Sequence, residues 1–101
     1  MERVSVTHTG DGFHVIARTG RSQAATMTLH PGEATGGPEN SHGSDQWMYV
    51  VAGYGLALVE GQEVSLAAGD LLMIEAGERH EVRCLGDKPF ETLNIYAPPA
   101  Y

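Results

Sequence analysis

Glycine recurs every few residues along this chain, and no window keeps the i, i+3, i+4, i+7 apolar spacing of a core-facing helix. Short β-prone runs stand where helices would be, each bounded by turn chemistry. The turns read "HPGEATGGPEN", "AGYG", "EGQ", "AAGD", "EAGER" and "GDKP", all rich in Gly, Pro, Asp or Asn. Strands are predicted over Phe13–Arg18, Gln23–Leu29, Gln46–Val51, Gly55–Glu60, Gln62–Leu66, Leu71–Ile74, His80–Leu85 and Phe90–Tyr96. Many short strands at close spacing in one small domain predict an all-β fold, an antiparallel sandwich or barrel of jelly-roll type.

The length of 101 residues suits one domain, with a core over about residues 13–97 and short tails on either side. Thirteen acids against six bases give a net charge of −7, and the bases are scattered rather than gathered into a stripe. Neither nucleic acid nor an anionic membrane surface is expected as a partner. No run approaches the length of a membrane span, and "MERVSVTHTGDG" lacks the basic and apolar regions of an export signal. The single Cys84 excludes an internal disulfide and a CxxC metal knuckle. A reduced, cytoplasmic setting is the expectation.

Side chains alternate along a strand, so in an extended chain Asn40, His42, Gln46 and Met48 share one face. On a later strand His80, Val82 and Cys84 share a face as well. Two such strands side by side in a barrel bring His42, Gln46 and His80 together. Two imidazoles and an amide oxygen around one point suit a divalent metal. Met27, Met48, Met73 and Cys84 are expected to line the cavity, with Asn94 and Tyr96 offering polar contacts from the last strand. Trp47, Tyr49 and Val51 lie on the opposite face, where packing is their expected role. Glu75, Glu78 and Glu81, around the "AGERH" turn, read as a solvated rim. His8, His14 and His30 fall outside this pattern.

The run "GDLLMIEAGERHEVRC", residues 69 to 84, resembles the second motif of the cupin superfamily, G-x5-P-x-G-x2-H-x3-N. Gly69, Gly77 and His80 fall on it, while Glu75 stands for its proline and Cys84 for its asparagine. "NSHGSDQWMYVVAG", residues 40 to 53, resembles the first motif, H-x-H-x3-E-x6-G. Gly53 matches the terminal glycine and His42 the second histidine. Gln46 stands at the glutamate position and Asn40 at the first histidine. The resemblance implies a small antiparallel barrel of the cupin type, often homodimeric, with "NIYAPPAY" and the Trp47 face as candidate contacts.

It also implies a transition metal, Zn, Ni, Mn or Fe, held at His42, Gln46, His80 and Asn40. Two family ligands are replaced by neutral amides, which lowers the expected affinity. Either Glu39 supplies a carboxylate or an anionic small molecule completes the shell, and the second is the expectation adopted. The alternative is a metal-free barrel that binds a small metabolite as a sensor or carrier, with Gln46 hydrogen-bonded to a histidine. Whether there is turnover is left open.

Overall fold

A computed structural model describes residues 1–6, 10–37 and 41–101. Among the described residues there are nine strands and no helix: β1 (Gly12–Arg18), β2 (Gln23–Leu29), β3 (Ala34–Gly36), β4 (Asp45–Ala52), β5 (Tyr54–Val59), β6 (Gln62–Ala67), β7 (Leu71–Ile74), β8 (His80–Cys84) and β9 (Phe90–Ala97). All strand pairs are antiparallel, in a five-stranded sheet ordered β1-β2-β9-β4-β7 and a four-stranded sheet ordered β3-β8-β5-β6. This is the all-β jelly-roll sandwich expected from the sequence.

Alternation decides what each strand buries. Along β4 exposure and burial alternate from Asp45 to Val51, placing Gln46, Met48 and Val50 inside and Trp47, Tyr49 and Val51 outside. Along β9 the buried set is Phe90, Thr92, Asn94 and Tyr96. The inner faces meet in a core of Met27, Leu29, Met48, Val50, Ala57, Leu66, Val82, Cys84 and Phe90. Burying these side chains is the main favourable contribution to folding.

Two glycines allow the backbone to close around Phe90. Gly53, the terminal glycine of the first motif, has φ of +87°, and a Cβ there would collide with the Pro89 carbonyl. At Gly55 a Cβ would lie 2.5–2.7 Å from three carbons of the Phe90 ring. β5 crosses that ring at a distance only glycine permits.

β3 is the one strand not anticipated. It lies inside "HPGEATGGPEN", where local chemistry signals only a turn, and exists because Ala34–Gly36 pair with the edge of β8. Its presence corrects a second expectation, that Glu81 belongs to a solvated rim. β8 runs between β3 and β5, so Glu81 is buried, and its carboxylate accepts from Arg83 Nε at 2.7 Å. Glu75 is exposed and Glu78 partly so, as a rim requires.

Candidate functional site

His42 precedes β4, Gln46 is the second residue of β4, and His80 opens β8 on the facing sheet. Main-chain clasps bring them together. The Gly77 amide donates to the His42 carbonyl at 2.8 Å, and the Ala76 amide donates to Asp45 Oδ1 at 3.0 Å. Arg79 is fixed beside His80 by Glu60, whose Oε2 accepts from the Arg79 amide at 2.6 Å and from its Nε at 3.0 Å. The turn of the second motif is thereby pinned to the loop of the first. The two imidazole rings meet edge to face with centroids 5.0 Å apart.

Behind His42 a chain of hydrogen bonds runs into the core. Its links are His42 Nε2 with Gln46 Oε1 (3.1 Å), Gln46 Nε2 with Asn94 Oδ1 (3.0 Å), Asn94 Nδ2 with Thr92 Oγ1 (3.0 Å), and Thr92 Oγ1 with the Met27 carbonyl (3.3 Å). The chemistry of the last group sets the direction of the whole. A carbonyl oxygen only accepts, so Thr92 donates to Met27, Asn94 to Thr92, and Gln46 to Asn94. The Gln46 oxygen is therefore turned toward His42 and the barrel mouth. Gln46 is 3 % exposed and Asn94 0 %, so water does not compete along this line.

His80 is oriented by a different device. Its Nδ1 donates to the Glu78 carbonyl at 3.0 Å, which leaves Nε2 as a lone pair. Burial holds His80 below the ordinary imidazole range; the Glu78 carbonyl opposes this shift and neighbouring His42 adds to it. At His42 the Ser44 amide reaches Nδ1 at 3.4 Å, a long contact, while Nε2 faces Gln46. Burial, with a smaller contribution from Tyr101, pushes the Tyr96 phenol well above its usual range and keeps it a neutral hydroxyl.

These groups border a cavity of about 40 Å³, lined by Gln46, Met48, His80 and Tyr96 together with Phe13, Met27, Thr35, Gly36, Val82 and Tyr101. Gln46, His80, Met48 and Tyr96 thus line one cavity, and the His42 ring meets those of His80 and Tyr96 edge to face. Asn94 shares their face but sits one layer behind, against Gln46 and Thr92 rather than on the cavity. Two expected lining residues do not reach it. Met73 pairs with Trp47 on the outer face and is 40 % exposed, because the β4–β7 register turns it away from the barrel. Cys84 lies in the core four residues beyond His80, about 13 Å along the strand, with its thiol on the Lys88 carbonyl. Asn40 and Glu39, the other candidate ligands, lie outside the described residues.

The sequence reading missed Phe13, Thr35 and Gly36, and above all Tyr101 and the residue that holds it. Gln23 Oε1 accepts from the Ala100 and Tyr101 amides at 3.2 and 3.0 Å, and Gln23 Nε2 donates to the Tyr101 carbonyl at 2.6 Å. Gln23 has the inward parity of Ala25, Met27 and Leu29 on β2, and that polar residue on an apolar face was the available signal.

The donor set can be tested for a divalent ion. No group of three His, Cys, Asp or Glu side chains converges among the described residues, so no carboxylate joins the two imidazoles. The His80 Nε2 lone pair and the Gln46 oxygen are both preset toward the mouth. Ligation at His42 Nε2 would move its proton to Nδ1, giving up both the long Ser44 contact and the hydrogen bond to Gln46 Oε1. The residues that would hold such an ion are therefore His42, Gln46 and His80, three neutral donors of which Gln46 and His80 are oriented by hydrogen bonds behind them.

Residues 25–96 match the family described as Cupin domain. Among curated proteins, the chain is 29 % identical over 107 residues to the tetracenomycin polyketide synthase protein TcmJ of Streptomyces glaucescens, covering 99 % of this chain and 70 % of that one. Among solved structures, BH2720 of Bacillus halodurans superposes with a TM-score of 0.88 at 24 % identity, over 95 % of this chain and 76 % of that one. An RmlC-like cupin family protein with a double-stranded β-helix fold from Methanocaldococcus jannaschii gives a TM-score of 0.80 at 17 % identity, over 97 % and 92 % of the two chains. At such identities these two structures speak for the fold alone.

Proposed function

Because this chain belongs to the cupin family, we propose that its barrel mouth holds a divalent transition ion on His42, Gln46 and His80 and presents it to a small acidic organic molecule. The observation that carries this reading is the presetting of the donors. Asn94, Thr92 and the Met27 carbonyl aim the Gln46 oxygen at the mouth, and the Glu78 carbonyl leaves His80 Nε2 free. Metal-bound histidine characteristically has its second nitrogen tied to a carbonyl in this way. When bound, the ion supplies Lewis acidity to a ligand oxygen.

The chain's own residues do the rest. Met27, Met48 and Val82 close the cavity floor against water. Tyr96 offers a neutral hydroxyl beside the imidazoles. All three donors are neutral, so a dication here keeps its full charge unless a ligand offsets it, and that favours an anionic partner. The relative from Streptomyces is named as a polyketide synthase protein, which is in keeping with a small organic substrate.

The closed hydrogen-bond chain supports a second reading, a metal-free carrier or sensor, since His42 and Gln46 satisfy each other without an ion. Elemental analysis of protein purified without added ions, followed by calorimetric titration with zinc, nickel and manganese, separates the two. Near-stoichiometric metal that is lost in His42→Ala and His80→Ala supports the first reading. Failure of the wild type to bind any of these ions, or undiminished binding by both variants, refutes it.

A further inference from the structure

The cavity of about 40 Å³ has room for an ion or a water, not for an organic molecule. Among the side chains that line it is Tyr101. Tyr101 lies across the mouth with its centroid 4.7 Å from Phe13, 5.2 Å from Tyr96 and 6.4 Å from His42, each at a tilted or edge-to-face angle. These are the separations and attitudes at which aromatic rings attract one another. Yet Tyr101 is 57 % exposed and belongs to no strand or core cluster. Its main chain is tethered from outside the mouth, by Gln23 and by Arg18 Nη1, which donates to its carbonyl at 3.3 Å. A tethered ring that fills an aromatic recess behaves as a bound ligand would.

We propose that Tyr101 is an internal stand-in for the ligand, and that the mouth formed by Phe13, Tyr96 and His42 takes a planar aromatic ring bearing an acidic hydroxyl, a phenol, which enters by displacing Tyr101. This narrows the preceding reading from acidic organic molecules to phenols and rests on it only in taking this mouth as the entrance. The aromatic walls recognise the ring, Tyr96 hydrogen-bonds the hydroxyl, and the hydroxyl oxygen points toward the imidazoles. Displacement costs a ligand the local concentration of the tethered ring, so the intact protein binds weakly and the untethered mouth binds better.

Protein-observed NMR titration with phenol and with cyclohexanol, on metal-free wild type, Tyr101→Ala and Gln23→Ala, tests this. Tyr101→Ala should bind phenol about tenfold more tightly than wild type and prefer it to cyclohexanol by about tenfold, with shifts centred on Phe13, His42 and Tyr96. Gln23→Ala, which loosens the tether, leaving the Arg18 contact, and keeps Phe13, His42 and Tyr96, should move in the same direction by less. A folded Tyr101→Ala that binds phenol no better than wild type, or cyclohexanol equally well, overturns the proposal. Zinc titration of the same proteins keeps the two readings apart. Selective phenol binding without zinc binding supports the aromatic mouth and sinks the metal site, and zinc binding without phenol selectivity does the reverse.

Discussion

Replacing Asn94 by Leu tests whether the hydrogen-bond chain sets the site or merely fills the core. The substitution keeps the shape of a fully buried side chain and removes two bonds of 3.0 Å. Thr92 still donates to the Met27 carbonyl, so it is not stranded. Gln46 Nε2 is stranded, since Gln46 is nearly fully buried and no water can replace its acceptor. One orphaned donor costs about 1–3 kcal/mol, partly offset by the added apolar contact, for a net of roughly 2 kcal/mol. In a domain of this size that is roughly 8–16 °C in Tm.

A second effect is independent of stability. With Asn94 gone, nothing distinguishes the two ends of the Gln46 amide, and the oxygen is no longer held toward the mouth. Zinc affinity should fall about tenfold, the scale on which a residue supporting a metal ligand acts. Urea denaturation measures the first effect and calorimetry under native conditions the second. If stability falls as expected and zinc affinity does not change, the orienting role of Asn94 is wrong. If affinity falls and stability is untouched, the energetics of the buried amide are wrong.

Two further predictions concern the surfaces. Trp47, Tyr49, Val51, Leu71 and Met73 stand together on the outer face of the five-stranded sheet, Trp47 being 45 % exposed, and we propose that a second copy covers them. Trp47→Glu should shift sedimentation from dimer to monomer; a wild type that is already monomeric removes the idea. His30 is raised above the ordinary imidazole value, first by its hydrogen bond to Asp11 (Nε2 to Oδ1, 2.9 Å) and then by that carboxylate's charge. A raised value means the contact stabilises fully below pH about 6.5 and is lost as pH rises through the His30 transition. In an NMR titration Asp11→Asn should return His30 toward the ordinary value, and an unchanged midpoint would show that the pair does not exist in solution.

The sheets were legible because alternation and turn chemistry are local. Asp45–Ala52 and Phe90–Ala97 carry their inside and outside faces in their own spelling. Legibility ended where a neighbour decides the outcome. β7 reads "LLMI", apolar throughout, so nothing in it says which face Met73 takes; its register against β4 does. β3 has no strand signal of its own, and Glu81 could be placed correctly only with β3 in place. Gln46 and His80 were readable because each sits at the start of a strand with clear parity, whereas His42, in the loop before β4, was readable from its place in the first motif. Tyr101 follows the last strand, where no periodicity applies, and only the polar Gln23 on an apolar face hinted at it.

The residue that departs most from the family pattern, Gln46, is accounted for by the direction of the buried chain. A glutamate at that position has no donor for Asn94 Oδ1. To pair with it, Asn94 would have to turn its amide nitrogen toward position 46 and its oxygen toward Thr92. Thr92 would then have to donate to Asn94 and give up its bond to the Met27 carbonyl, reversing the whole chain. The Met27 carbonyl, Thr92 and Asn94 are matched by an amide at 46, a residue that donates on one side and presents an oxygen on the other. The neutral side chain at position 46 is thus in keeping with the polar chain behind it.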